Sequence, residues 1–113
     1  MPGLLNNVAD AIVESPEPDL DRALALVQEA FRFLPGQPHL FDTRGKIYLK
    51  RGEPKLAIAD FERALTEPEL RPGVHMRLAE AWELLGDGQK AAIHRTTAEA
   101  LSQLKSQKTP VSE

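Results

Sequence analysis

The sequence predicts an all-α protein made of three helix pairs in a linear stack. Three observations carry that expectation. Residues of one physical type recur at a spacing of 34 along the 113 residues. Within each segment the apolar positions fall three and four apart, which is the stripe an amphipathic helix buries. No stretch alternates apolar and polar residues as a half-buried strand would.

The period is read by adding 34. Gly45 leads to Ala79, Tyr48 to Trp82, Gly52 to Gly86, Ala57 to Ala91 and Ala64 to Ala98. Stepping back 34 from Ala57, Phe61 and Ala64 reaches Ala23, Val27 and Ala30. The units are therefore about 2–37, 38–71 and 72–105, one domain over 2–105, followed by a flexible tail over 106–113. The first half of the first unit is displaced. Leu5, Val8, Ala9 and Ile12 repeat the spacing of Phe41, Arg44, Gly45 and Tyr48, but the step to the next alanine is longer by two residues. That places a two-residue insertion in the turn at Ser15–Asp21, since turns absorb insertions more easily than helices.

The elements follow in order. A first helix over 4–14 carries Leu5, Val8, Ala9 and Ile12. A second over 19–34 starts at Asp19, whose carboxylate can accept from the free amides of a first turn. Pro35 and Pro38 bound the next connection, and a third helix runs over 38–51. Gly52 ends it in a left-handed conformation that glycine adopts without steric cost. Pro54 suits the first turn of a fourth helix, 54–66. Pro68 and Pro72 bound another connection before a fifth helix, 71–85, which Gly86 ends. Asp87 can cap a sixth, 88–105. Gly45 and Ala79 sit mid-helix, where a large side chain would hold the neighbouring helix away. A mid-helix glycine costs about 1 kcal/mol against alanine, so close packing must repay it. Tyr48, Phe61 and Trp82 fill the space that remains.

Composition excludes several classes. There is no cysteine, hence no disulfide, thiolate metal site or cysteine nucleophile. A net charge of −3 and 5% aromatic residues suit neither phosphate-backbone binding nor base stacking, so no nucleic-acid partner is expected. No apolar run approaches the roughly 20 residues that span a bilayer, so direct membrane insertion is not expected. Met1–Asn7 lacks the basic and apolar segments of a secretory signal, which favours the cytoplasm if the chain is complete. Ser15, His39 and Asp42 could be assembled into a triad, but any chain offers such a triple. Gly86-Asp87-Gly88 lacks the lysine and preceding strand of a phosphate loop. No catalytic residue, cofactor or metal is expected, and the protein is read as a non-enzyme.

The pattern resembles the tetratricopeptide repeat, whose 34-residue unit has a W-x2-L-G-x2-Y stretch followed by alanine, aromatic and proline positions. The middle unit shows Phe41, Gly45, Tyr48, Gly52, Ala57, Phe61, Ala64 and Pro68. The third shows His75, Leu78, Ala79, Trp82, Gly86, Ala91 and Ala98. The first shows Leu5, Val8, Ala9, Ile12, Ala23, Val27, Ala30 and Pro35. Arg44 stands where the family has an aliphatic residue, Arg95 where it has an aromatic one and His75 where it has tryptophan. The departures in the last unit fit a terminal repeat whose outer face meets water. The paired asparagines and the Ser-Pro-Glu-Pro turn look like the last repeats of a longer bacterial protein.

The resemblance implies a right-handed α-solenoid whose first helix in each unit lines a concave groove that binds a peptide or protein segment. Placed on this sequence, the groove residues are Asn6, Asp10 and Val13 from the first helix. The third helix adds His39, Asp42, Thr43, Lys46, Leu49 and Lys50, and the fifth Met76, Arg77, Glu80, Glu83 and Leu84. Chaperone-binding members clamp a terminal carboxylate at positions that here are Asn6, Asp10, Thr43, Gly73 and Arg77. Arg77 alone matches, and Asp10 would repel the anion. That clamp is therefore rejected in favour of a partner of alternating charge with apolar anchors.

Charge is uneven: −4 over 1–37, +1 over 38–71 and zero over 72–113. The acidic first unit either steers a basic partner or simply presents solvated faces, the commoner case. Arg44 and Arg77 suit a two-pronged grip on a carboxylate, or pair with Asp10 or Glu80 across neighbouring helices. Met76 and Leu49 are apolar anchors or packing residues between units. His39, His75 and His94 show no metal-like spacing. His75 is expected in a packing position, His39 at the groove rim or on plain surface, and His94 facing outwards. Arg95, Thr96, Thr97, Gln103 and Lys105 let the last helix close the stack itself. The first helix has no polar cap, and Leu4, Val8 and Ala11 lie on its outer face. Either a preceding segment or a second copy covers it, or Asn6, Asn7 and Asp10 make the short helix polar enough alone. The alternatives to a free-standing interaction module are thus the C-terminal part of a larger bacterial protein with an upstream domain, enzymatic or not, and a scaffold that self-associates through the first helix.

Overall fold

The computed structural model describes residues 1–107. Among these there are six α-helices and no strand: α1 Pro2–Glu14, α2 Leu20–Phe33, α3 Pro38–Lys50, α4 Pro54–Ala64, α5 Arg71–Leu84 and α6 Gly88–Gln107. A 3-10 turn, Pro68–Leu70, precedes α5 and was not expected from the sequence. α6 continues to Gln107, past the start of the tail expected at 106–113, whose other residues lie outside the described ones. α1 packs on α2, α3 on α4 and α5 on α6, while α2 meets α3 and α4 meets α5. α1 also touches α3, and α3 touches α5. The described residues extend over 45 × 40 × 28 Å.

The helix ends follow local chemistry. At the end of α3 the amide of Gly52 donates to the carbonyl of Leu49 and that of Glu53 to Tyr48. At the end of α5 the amide of Gly86 donates to Glu83 and that of Asp87 to Trp82. This is one C-terminal motif made twice, and it requires left-handed backbone at the glycines, whose φ values are 77° and 82°. Asp19 Oδ1 accepts from the amide of Arg22, and Asp87 Oδ1 from that of Lys90. Both expected caps are therefore present. Pro38 and Pro54 open α3 and α4, where their missing amide hydrogens cost nothing. Residues 15–19 join α1 to α2, whereas 51–53 and 85–87 join the later pairs. The first turn is thus two residues longer, as the displaced repeat required.

The core has two apolar clusters that share α3. One gathers Ala9 and Val13 of α1, Ala23, Val27 and Ala30 of α2, and Leu40 and Ile47 of α3. The other gathers Ala57, Ile58, Phe61 and Ala64 of α4 with Val74, Leu78 and Ala81 of α5; Phe41, Tyr48 and Trp82 pack against it. On α6, Ala91 and Ala98 are buried, and Lys90 Nζ lies 4.2 Å from the centre of the Trp82 ring.

Gly45 shows why a small residue stands mid-helix. A Cβ built there would lie 2.6 Å from Phe61 Cε1 and 2.7 Å from Cδ1, inside van der Waals contact with a fully buried ring. In an exposed helix, Gly→Ala stabilises by about 1 kcal/mol. Here the displaced Phe61 outweighs that gain, because overpacking a close-packed core costs about 1–3 kcal/mol. Gly45→Ala is expected to lower stability by about 1 kcal/mol in urea denaturation. Gly88→Ala, where an added Cβ meets nothing within 4 Å, is expected to be neutral or stabilising.

Candidate functional site

The first helix of each pair contributes to one shallow recess of about 310 Å³. It is lined by Glu14 of α1, Lys46, Leu49 and Lys50 of α3, and Arg77, Glu80 and Leu84 of α5. Six of these seven residues are among the groove positions expected from the sequence. The seventh, Glu14, was missed although the register contains it: Glu14 stands 36 residues before Lys50, the offset of the displaced first unit, and Leu84 stands 34 after. Asp10, Lys46 and Glu80 likewise share one position in the three units. They form an acid–base–acid series across the site.

An ion network runs beneath the recess. Lys46 Nζ donates to Asp10 Oδ1 at 2.5 Å and lies 3.8 Å from Glu14 Oε1 and 3.9 Å from Asp42 Oδ2. Arg77 Nη2 donates to Asp42 Oδ1 at 2.5 Å. Asp42 is buried, and a buried carboxylate needs such partners to offset its lost hydration. The network ties α1 to α3 and α3 to α5 through side chains that the sequence reading assigned to a partner. Arg77 pairs with Asp42, not with Asp10 or Glu80, while its Nε is shielded from solvent without an acceptor. Lys50, exposed on the rim, has no acid within 4 Å among the described residues.

Other expected groove residues are placed differently. Val13 is fully buried in the core, because its stripe on α1 faces α2 and α3. Thr43 is also buried, and its hydroxyl donates to the carbonyl of His39. Neither offers surface to a ligand. Asn6 is half-buried, with Oδ1 shielded and unpartnered. Met76, half-exposed, borders a hollow with Ala98, Glu99 and Ser102 of α6. His39 borders a wider one of about 710 Å³ with Arg71 and Leu104. Glu83 is ion-paired with Arg95 of α6. An apolar hollow at Pro54, Leu56 and Leu85 was not anticipated.

Two pairings correct the sequence reading. His94 does not face outwards, because it meets His75 across the α5–α6 interface. Arg44 does not pair with Asp10 or Glu80. Its Nε and Nη2 donate to the two oxygens of Asp60 at 2.8 and 2.9 Å, and its guanidinium lies 4.5 Å from the centre of the Phe31 ring. Phe41 and Tyr48 flank it at 5.7 and 5.8 Å. The Asp60 hydrogen bonds raise the Arg44 pKa above its ordinary value, against the opposing effect of burial. Both partners are largely removed from water, with side chains 21% and 3% exposed. The pair stands 16 residues apart on successive helices, so neither helical periodicity nor the 34-residue register marks it.

Among the described residues, no group of three histidines, acids or cysteines is placed to hold a metal ion, and no helix is long and apolar enough to cross a membrane. The chain matches no protein-family model and no curated protein.

Removing Arg44 leaves the buried Asp60 carboxylate with only the exposed Arg63, 3.9 Å away, and breaking a buried pair costs about 3–5 kcal/mol. Arg44→Met is expected to show a loss of that size in chemical denaturation. Adding Asp60→Leu to it should recover most of the loss, because an apolar pair of similar volume needs no compensation.

Proposed function

We propose that this chain is a tetratricopeptide-type solenoid of three helix pairs that binds a peptide or protein segment without catalysing a reaction. The observation that carries the reading is the recess across α1, α3 and α5, where six residues expected from one repeat register come together. Its chemistry selects the ligand class. Leu84 is 60% exposed and Leu49 half-buried, so they offer an apolar side chain a place to lie. Lys50 beside them suits an acid, while Glu14 and Glu80 suit bases. A segment with one apolar anchor between charges of both signs satisfies all of these. A terminal carboxylate fits less well, because Arg77 already holds Asp42 and Lys46 already holds Asp10.

A displayed library of random peptides, selected on the wild-type chain, tests the reading. The enriched sequences are expected to carry that pattern. They should bind Lys50→Glu and Leu84→Asp at least about tenfold more weakly, a change of about 1.4 kcal/mol. Both substitutions are on exposed side chains and should leave the helical content unchanged. Peptides that bind the variants as well as the wild type would remove the recess from the reading.

A second reading has its own observation. Leu4 is 59% and Val8 38% exposed on α1, beside exposed Ala11, which suits a second copy packed on that helix. Light scattering is expected to show a dimer that Leu4→Glu returns to a monomer. A wild-type monomer at high concentration would eliminate self-association through α1.

A further inference from the structure

His75 of α5 and His94 of α6 form the one direct imidazole–imidazole contact among the described residues. Their Nδ1 atoms are 2.9 Å apart, and the ring centroids are 5.1 Å apart with planes inclined by 28°. The centroid separation is close to the nitrogen separation plus the two ring radii, so the nitrogens point at one another. Two imidazoles chelating one metal ion would instead aim both lone pairs at a third point. Head-on nitrogens at hydrogen-bond distance require one proton between them.

We propose that His75 and His94 are a proton-sharing latch that closes the α5–α6 interface when at most one ring is charged and releases it when both are.

The proton count gives the mechanism. With both rings neutral, one Nδ1–H donates to the other Nδ1. One further proton, taken on the outer nitrogen of the donor ring, makes that ring a cation and strengthens the hydrogen bond. A second proton has only the acceptor Nδ1 to occupy. It would set N–H against N–H and one cation against another, so the contact must open.

The groups facing the pair decide which ring charges first. Glu62 of α4 acts on His94 and favours its cation, whereas Arg71 of α5 acts on His75 and disfavours it. His94 is therefore the donor that charges first, and His75 the acceptor that must stay neutral. Burial is the main cause that lowers both histidines below their ordinary value; His94 and Arg71 lower His75 further.

The direction of the stability change follows. In the unfolded chain both rings take up protons near pH 6.5. The folded latch resists that uptake, so its contribution is intact above about pH 7 and declines as the pH falls through about 6.5. The decline levels off once the folded pair is itself fully protonated. Carboxylates titrate mostly below about pH 5, which leaves an interval where histidine acts alone. The consequence is a chain whose last helix loosens from α5 in mildly acidic surroundings, whatever the recess binds.

The test uses the full chain with His39→Gln, so that the pair supplies the only histidine signals. Nitrogen chemical shifts of the two rings are followed from pH 8 to pH 4.5, and melting temperature from about pH 7 to about pH 5. Two coupled steps separated by more than about one pH unit are expected, with His94 charging first. The melting temperature should fall by about 5 °C across that interval. His75→Leu with His94→Leu should abolish most of the fall. Independent single-step titration of the two rings would overturn the latch, as would an equal fall in the double variant. If that variant does not fold, the ring titrations of the parent chain decide alone.

Discussion

The fold depends on how α3 is held, and Arg44 is central to that hold. Its guanidinium is gripped from one side by both oxygens of Asp60 on α4 and covered by the ring of Phe31 from α2. One side chain thereby connects three helices at the seam between the two apolar clusters. An arginine suits this place better than a lysine, because a planar fork can meet a carboxylate with two hydrogen bonds while stacking on an aromatic face. The neighbouring residue completes the joint: Gly45 lets the Phe61 ring of α4 come against the α3 backbone. Charge, ring and missing side chain all act within one turn of one helix.

From that joint the polar architecture extends to the opposite side of α3. Lys46, two positions after Arg44, joins Asp10 of α1, and Asp42 receives Arg77 of α5. Much of the charge that could have faced a partner is therefore used between helices. Outside that network the rim keeps Lys50, Glu80 and the two leucines, while Glu14 lies 3.8 Å from Lys46. The same economy governs α6, which is joined to α5 by apolar contacts at Ala91 and Ala98, by Arg95 with Glu83, and by the histidine pair.

The helices were legible in the sequence because their ends obey local rules. Asp19 and Asp87 cap, Gly52 and Gly86 adopt positive φ, and Pro38 and Pro54 open helices, each through atoms a few residues away. The 3-10 turn at Pro68–Leu70 was not legible, since prolines announce an interruption without specifying its form. The candidate site was legible in part. Repeat register placed Lys46, Leu49, Lys50, Arg77, Glu80 and Leu84 together, but it could not say that Val13 and Thr43 on the same helices would be buried. A one-dimensional register assigns a residue to a face; the depth of that face depends on the neighbouring helices.

The sequence by itself determined the helical class, the six segments, the longer first turn and the positions where helices approach closely. All of these follow from spacing along one chain and from interactions within a few residues. Tertiary structure decided the partner of every charge that matters: Arg44 with Asp60, Lys46 with Asp10, Arg77 with Asp42 and His75 with His94. The reason is physical. A long polar side chain can reach several helices at similar cost, and which acid or imidazole it meets depends on packing distances of an ångström or two that no residue pattern encodes.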